Sequence, residues 1–147
     1  MNILVSSCLL GLDCRYCGDN CYSEKIAGLS ASYTLIPVCP EQMGGLPTPR
    51  ATLERSNGKV IDKDGRDYTQ AMQKGASEVL KIAILSGCYR AITKSGSPSC
   101  GCGTIYDGSF SGRLVEGNGV MTEKLIAAGI EVTDEHHFAD IYKAFPD

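Results

Sequence analysis

The sequence predicts an α/β fold: a single Rossmann-like domain with an open, mostly parallel sheet and flanking helices. Three observations predict it. Short apolar, β-branched runs recur along the chain. Segments with helical spacing separate them. Each run stops at a turn or loop rich in Ser, Gly, Pro or Cys. Alternation of this kind is the pattern of strands joined by helical crossovers. A length of 147 residues fits one domain over 1–147, long enough to bury a core.

The elements follow in order. Asn2–Ser6 reads N-I-L-V-S, a buried strand that stops at Ser7-Cys8. Residues 33–38, Y-T-L-I-P-V, form a second strand ending at Cys39. About 25 residues separate the two, enough for a parallel connection, although the helix between them is poorly patterned. Residues 40–49 are a loop rich in glycine and proline. Residues 53–64 read as an exposed excursion, with Asn57-Gly58 and Asp64-Gly65 as turn signals.

A long helix follows. Asp67 can cap it, with Gln70 three residues on. Met72, Ala76, Val79, Leu80, Ala83 and Ile84 give it one apolar face, and Gly87 marks its end. Residues 89–93 are the third strand, closing at Lys94. Residues 95–119 are glycine-rich with no sustained period, and a tight turn is expected within 106–112. A helix over 120–128 stops at Gly129, a strand covers 130–132, and a closing helix covers 135–144.

Charge and composition exclude several classes. Apolar residues make up 43% and charged residues 21%, which is globular rather than disordered. A net charge of −3 with no basic block disfavours general nucleic-acid or membrane-surface binding, and argues against transfer RNA as a substrate. No apolar run reaches the length of a membrane span, and the apolar start is too short for a signal peptide. A cytoplasmic protein is expected.

Eight cysteines stand out: Cys8, Cys14, Cys17, Cys21, Cys39, Cys88, Cys100 and Cys102. In a reducing compartment they bind metal, react, or fill the core as small hydrophobes. Cys8 follows the first strand, Cys39 the second, and Cys100 the third by a short loop. Strands of an open parallel sheet end on one side, where ligands bind, so these three thiols are expected to converge. Three thiolates can hold zinc with water in the fourth position. They can equally hold three irons of a 4Fe–4S cluster and leave one iron open, a soft Lewis acid suited to sulfur.

Glu41, two residues after Cys39 and beyond the stiff Pro40, is a candidate general acid or base. Ser97 and Ser99 precede Cys100, and either hydroxyl can move a proton or position a base. Arg15 and Arg50 can each pair with a carboxylate or phosphate of a substrate, or cap a loop. Cys14, Cys17 and Cys21 form a competing C-x2-C-x3-C group that suits zinc in a non-catalytic or redox-sensing module. Cys88 reads as core, Cys102 as a substitute ligand beside Cys100, and His136-His137 as a solvated pair.

Four blocks carry a resemblance to a known family. They are Val5-Ser6-Ser7-Cys8-Leu9-Leu10-Gly11, the stretch from Pro37 through Cys39-Pro40-Glu41 to Arg50, Lys94-Ser95-Gly96-Ser97-Pro98-Ser99-Cys100-Gly101, and Ile105-Tyr106-Asp107-Gly108-Ser109-Phe110-Ser111-Gly112. In this order they resemble a bacterial domain-of-unknown-function family that includes the thiouracil desulfidases. The resemblance implies a Rossmann-like domain with an oxygen-sensitive 4Fe–4S cluster on Cys8, Cys39 and Cys100. It implies a small thiolated pyrimidine, base or nucleotide, as substrate. Water replaces sulfur without net redox, Glu41 serves as acid/base, and a serine of the Ser-Pro-Ser block, Ser97 in preference to Ser99, is its partner. One departure is clear. The family pattern Arg-Tyr-Asp-Gly reads Arg15-Tyr16-Cys17-Gly18 here, and Cys21 is an addition. These cysteines can make a second metal site or a fourth ligand that closes the cluster.

Overall fold

The computed structural model describes residues 1–142. In chain order the elements are β1 (Asn2–Ser6), α1 (Glu24–Ala27), β2 (Thr34–Val38), α2 (Pro40–Met43), β3 (Glu54–Ser56), β4 (Lys59–Ile61), α3 (Thr69–Leu85), β5 (Arg90–Thr93), β6 (Thr104–Tyr106), β7 (Leu114–Glu116), α4 (Val120–Ala127) and β8 (Glu131–Asp134), with short 3-10 turns between some of them. Strands β2-β1-β5-β8 form a sheet in that order, and every pairing in it is parallel. The chain leaves β1 to one side for β2, then crosses back for β5 and β8. That reversal creates a crevice at the carboxyl ends around β1.

Strand alternation decides which face each side chain covers. Leu4 and Ala91 pack with Met72, Ala76, Val79 and Ala83 of α3 and Met121 and Leu125 of α4. Ile3, Val5 and Ile92 point the other way, onto Ile26, Leu29 and Phe138. The first crossover is one α-turn continued by a 3-10 turn, Gly28–Ala31, so its weak periodicity is real. Helix α3 keeps the expected stripe, except that Ile84 lies at its solvent-facing end, 70% exposed. The N-cap of α3 is Tyr68, with no side-chain cap bond, and the expected cap Asp67 lies one residue earlier, where its carboxylate accepts the Thr69 amide at 2.8 Å.

Helices α2 and α3 touch backbone to backbone. A Cβ on Gly75 would collide with the Pro40 carbonyl, and one on Gly44 with the Ala71 carbonyl. Only glycine permits this approach, and it seats the turn that carries Glu41.

Three expectations need correction. Residues 53–64 form a β3–β4 hairpin turned at Asn57 (φ 52°) and Gly58 (φ 78°). It is not an exposed excursion, because Leu53 and Val60 enter the core. The last strand is displaced to Glu131–Asp134. The closing helix expected over 135–144 is instead a turn and a 3-10 segment, Phe138–Asp140, with residues 143–144 outside the described residues. The turn expected within 106–112 is found, as the β6–β7 hairpin. Among the described residues no helix is long and apolar enough to cross a membrane.

Candidate active site and thiol cluster

The crevice holds the three strand-end cysteines. Cys8, Cys39 and Cys100 all line one cleft, about 830 Å³ with the open solvent at its mouth included. Each arrives by different local physics. Cys8 sits in the 3-10 turn after β1, which ends at Gly11 with φ 94°. Cys39 is the N-cap of α2, with Pro40 at the first helical position. The loop bearing Cys100 is pinned by the start of α4: Val120 and Met121 amides donate to the Pro98 and Ser99 carbonyls, and Thr122 Oγ1 donates to the Cys100 carbonyl at 2.8 Å.

A fourth thiol is there as well. Cys14 lines the same cleft, and its carbonyl accepts from Cys39 Sγ at 3.9 Å. The neighbouring Cys39 thiol lowers its pKa, but the Cys8 thiol and burial outweigh that effect and raise it to about 11. The Cys14 contact and then burial push Cys39 well above the ordinary thiol range. Burial pushes Cys100 up to about 12, against hydrogen bonds from Ser6 and Ser99 that lower it. All eight cysteines are free. Metal loading at Cys39 and Cys100 would therefore displace protons.

Beside the sulfurs runs a directed chain of polar groups. Glu41 Oε1 pairs with Arg50 Nε at 3.0 Å, and Oε2 accepts from Ser99 Oγ at 2.8 Å. The Ser97 hydroxyl oxygen accepts two backbone amides, from Ser99 at 3.1 Å and Cys100 at 3.0 Å. It lies 2.9 Å from Ser99 Oγ. Ser99 has one proton and spends it on Glu41, so the Ser97 proton points to Ser99. The order is Ser97, Ser99, Glu41. Ser99, not the sequence-favoured Ser97, touches the carboxylate.

Arg50 lines the cleft, and its guanidinium is gripped by the protein's own acceptors. Besides Glu41 it donates to the Cys14 carbonyl at 2.7 Å, Thr48 Oγ1 at 2.9 Å and the Pro47 carbonyl at 3.3 Å. Its side chain is only 6% exposed. Arg15 stays at the cleft, paired with Asp19 at 3.0 Å.

The competing group comes apart. Cys14 faces the cleft, Cys17 is exposed beside Asp19, and Cys21 is half-buried against the core around Leu9. The three do not share a zinc site. Cys88 is core, Cys102 turns to the Val132 carbonyl at 3.6 Å, and His136 and His137 are largely exposed. Glu41 and the three strand-end thiols, expected at one rim, all line this cleft. Cys14's place in the cleft and Arg50's clamp were missed, since loop geometry leaves no periodic signal.

The donor set tests which metal group fits. Among the described residues no three His, Cys, Asp or Glu side chains are grouped closely enough for a single ion. A tetrahedral zinc with Zn–S near 2.3 Å needs sulfurs about 3.8 Å apart. A cluster binds one thiolate per iron and accepts sulfurs spread across its faces. All-thiol ligation is the iron–sulfur donor set, so the residues fit a cluster better than a lone ion.

Comparisons with known proteins agree with this geometry. A family model described as 2-thiouracil desulfurase matches residues 3–137. A Bacillus subtilis (strain 168) protein, the uncharacterized protein YbbK, is 40% identical over 149 residues, covering 95% of this chain and 99% of its own. A solved structure, that of the 4Fe–4S-dependent thiouracil desulfidase TudS, superposes with a TM-score of 0.90 at 39% identity, covering 95% of this chain and 94% of its own. With sheet, cleft and thiols in place, the chain belongs to the 2-thiouracil desulfurase family.

Proposed function

We propose that this chain, acting as one domain in the cytoplasm, desulfidates a small thiolated pyrimidine, thiouracil or a thiouracil nucleotide. Sulfur leaves as hydrosulfide and water supplies the oxygen, with no net oxidation or reduction. The observation that carries the reading is that Cys8, Cys39 and Cys100 line one cleft beside a half-buried Glu41. Those three cysteines would hold a 4Fe–4S cluster. Such a group supplies a soft Lewis-acidic iron, without a protein ligand, for the thiocarbonyl sulfur.

The chain's own residues handle the protons. Ser97 lines the cleft and is the outer end of the relay. As water oxygen adds to the ring carbon, one proton passes through Ser97 and Ser99 to Glu41 Oε2. Glu41 then returns it to the departing sulfur, and the carbon–sulfur bond breaks as the added hydroxyl releases the water's second proton to solvent and becomes the ring carbonyl. The balance is thiouracil plus water giving uracil, hydrosulfide and a proton. Arg50 does not exchange a proton; it keeps Oε1 occupied, so Oε2 is the working oxygen.

Protein purified without oxygen should carry about four irons per chain and convert 2-thiouracil or 4-thiouracil to uracil. Glu41→Gln should keep its iron and lose about 10²–10⁴-fold in turnover, the usual loss for an acid/base group. Desulfidation that survives Cys39→Ala would refute the proposal.

A further inference from the structure

Two tyrosines in the cleft have no part in the proton relay or among the thiols. Tyr16 and Tyr106 lie ninety positions apart in sequence (106 − 16 = 90) yet line the same cleft. Their exposures are nearly equal, 39% and 40%. Tyr22 and Tyr89 are also exposed but lie outside it.

Each cleft ring is backed by protein. The Arg15 guanidinium carbon sits 5.4 Å from the Tyr16 ring centroid, and Asp19 holds that guanidinium at 3.0 Å. The Tyr16 carbonyl accepts the Arg50 amide at 2.8 Å, so this ring is fastened to the residue that clamps Glu41. Tyr106 is seated on the loop that leads to Cys100. A Cβ on Gly96 would come within 3.2 Å of its Cε2, and Gly96 and Ile105 form a bridge beside it. Strand pairing with Leu114 fixes its backbone. Both rings are thus held firmly while two-fifths of each stays uncovered. An amphipathic ring held open in a cleft is a low-entropy stacking surface for a flat π-system.

We propose that Tyr16 and Tyr106 are the surfaces on which the substrate's ring stacks. They make the site select planar, unsaturated pyrimidines over puckered or open-chain thiocarbonyl compounds. This deepens the proposed function and rests on it for the identity of the substrate class. Stacking reads the face of the ring and tolerates a change at its edge. Sulfur and oxygen at the reacting carbon are then held alike, and the sulfur is discriminated elsewhere in the cleft.

The test uses anaerobically loaded enzyme and uracil, whose binding by equilibrium dialysis needs no turnover. Base–aromatic stacking removed by side-chain truncation weakens binding about 5- to 150-fold. Tyr16→Leu and Tyr106→Leu, measured separately, should each weaken uracil by a factor in that range. Each should raise KM for 2-thiouracil more than it lowers kcat. Tyr106→Phe should bind uracil as the parent does. The parent should bind 5,6-dihydrouracil, whose ring is puckered, more weakly than uracil. Unaltered uracil binding by both leucine variants overturns the proposal, as does a phenylalanine variant as weak as the leucine one, or equal affinity for the dihydro ring. Parent enzyme that binds uracil with this pattern but leaves thiouracil intact sinks the desulfidase reading and keeps the stacking surfaces.

Discussion

Replacing Arg50 by methionine tests whether that guanidinium is a clamp or a substrate ligand. The side chain is 6% exposed and its partner Glu41 13%. Methionine preserves much of the apolar stem but leaves Glu41 Oε1 without its donor and takes the guanidinium from the Cys14 carbonyl and Thr48 Oγ1, which keep only Cys39 Sγ and Gln42 Nε2. Breaking a buried ion pair by removing one partner costs about 3–5 kcal/mol. Glu41 keeps the Ser99 hydrogen bond and some contact with solvent, which places the cost near the lower end, about 3 kcal/mol. In a domain of this size each kcal/mol shifts Tm by about 2–4 °C, so thermal denaturation of anaerobic protein should move down by about 6–12 °C. Glu41→Gln combined with Arg50→Met should be less destabilised than Arg50→Met alone, because no charge is left stranded. Steady-state kinetics separates the roles. A clamp predicts a fall in kcat with little change in KM, whereas a lost substrate contact raises KM alone. A Tm within a degree of the parent, or an effect confined to KM, would refute the reasoning.

Gly75→Ala should lower stability by about 1–3 kcal/mol through overpacking, despite alanine's better helix propensity, because its Cβ meets the Pro40 carbonyl. Calorimetry that shows a gain instead would remove the α2–α3 contact from the account. Cys17→Ala with Cys21→Ala should leave iron per chain unchanged, while Cys39→Ala should lower it; metal analysis decides. Burial pushes the Tyr142 phenol up to about 12, above an unfolded value near 10. Its contribution is fully present below pH 10 and is lost as pH rises toward 12. Phenolate absorbance should show a late-ionising tyrosine that Tyr142→Phe removes, with circular dichroism falling alongside. A titration unchanged by Tyr142→Phe would contradict this.

The strands are legible because two-sided burial demands unbroken apolar runs, as at Ile3, Leu4 and Val5, all fully buried. Helix α3 is legible because one face must match the sheet. Convergence of Cys8, Cys39 and Cys100 is legible too, since parallel strands share an end. What lies between elements is not. Arg50 looks identical in sequence whether it grips Glu41 or a ligand, and only the closure of the 40–50 loop decides. Cys14 reads with Cys17 and Cys21 by spacing, yet Arg50 draws its carbonyl toward Cys39 instead. Sequence does not tell which serine touches Glu41: backbone amides hold the Ser97 oxygen, and Ser99 Oγ meets the carboxylate. The region after Asp134 misleads because a short turn bonded to the Asp134 carboxylate replaces the expected helix.

The strand-end sulfurs come from three separate passes of the chain, and the nearest two are 31 positions apart (39 − 8 = 31). In an unfolded chain nothing gathers them, so an inorganic guest cannot act as the seed around which the polypeptide condenses, as it does in a zinc finger. The crossovers have to close first, on hydrocarbon alone. Under the proposed cluster ligation, maturation would be delivery into a cleft the sheet has already built.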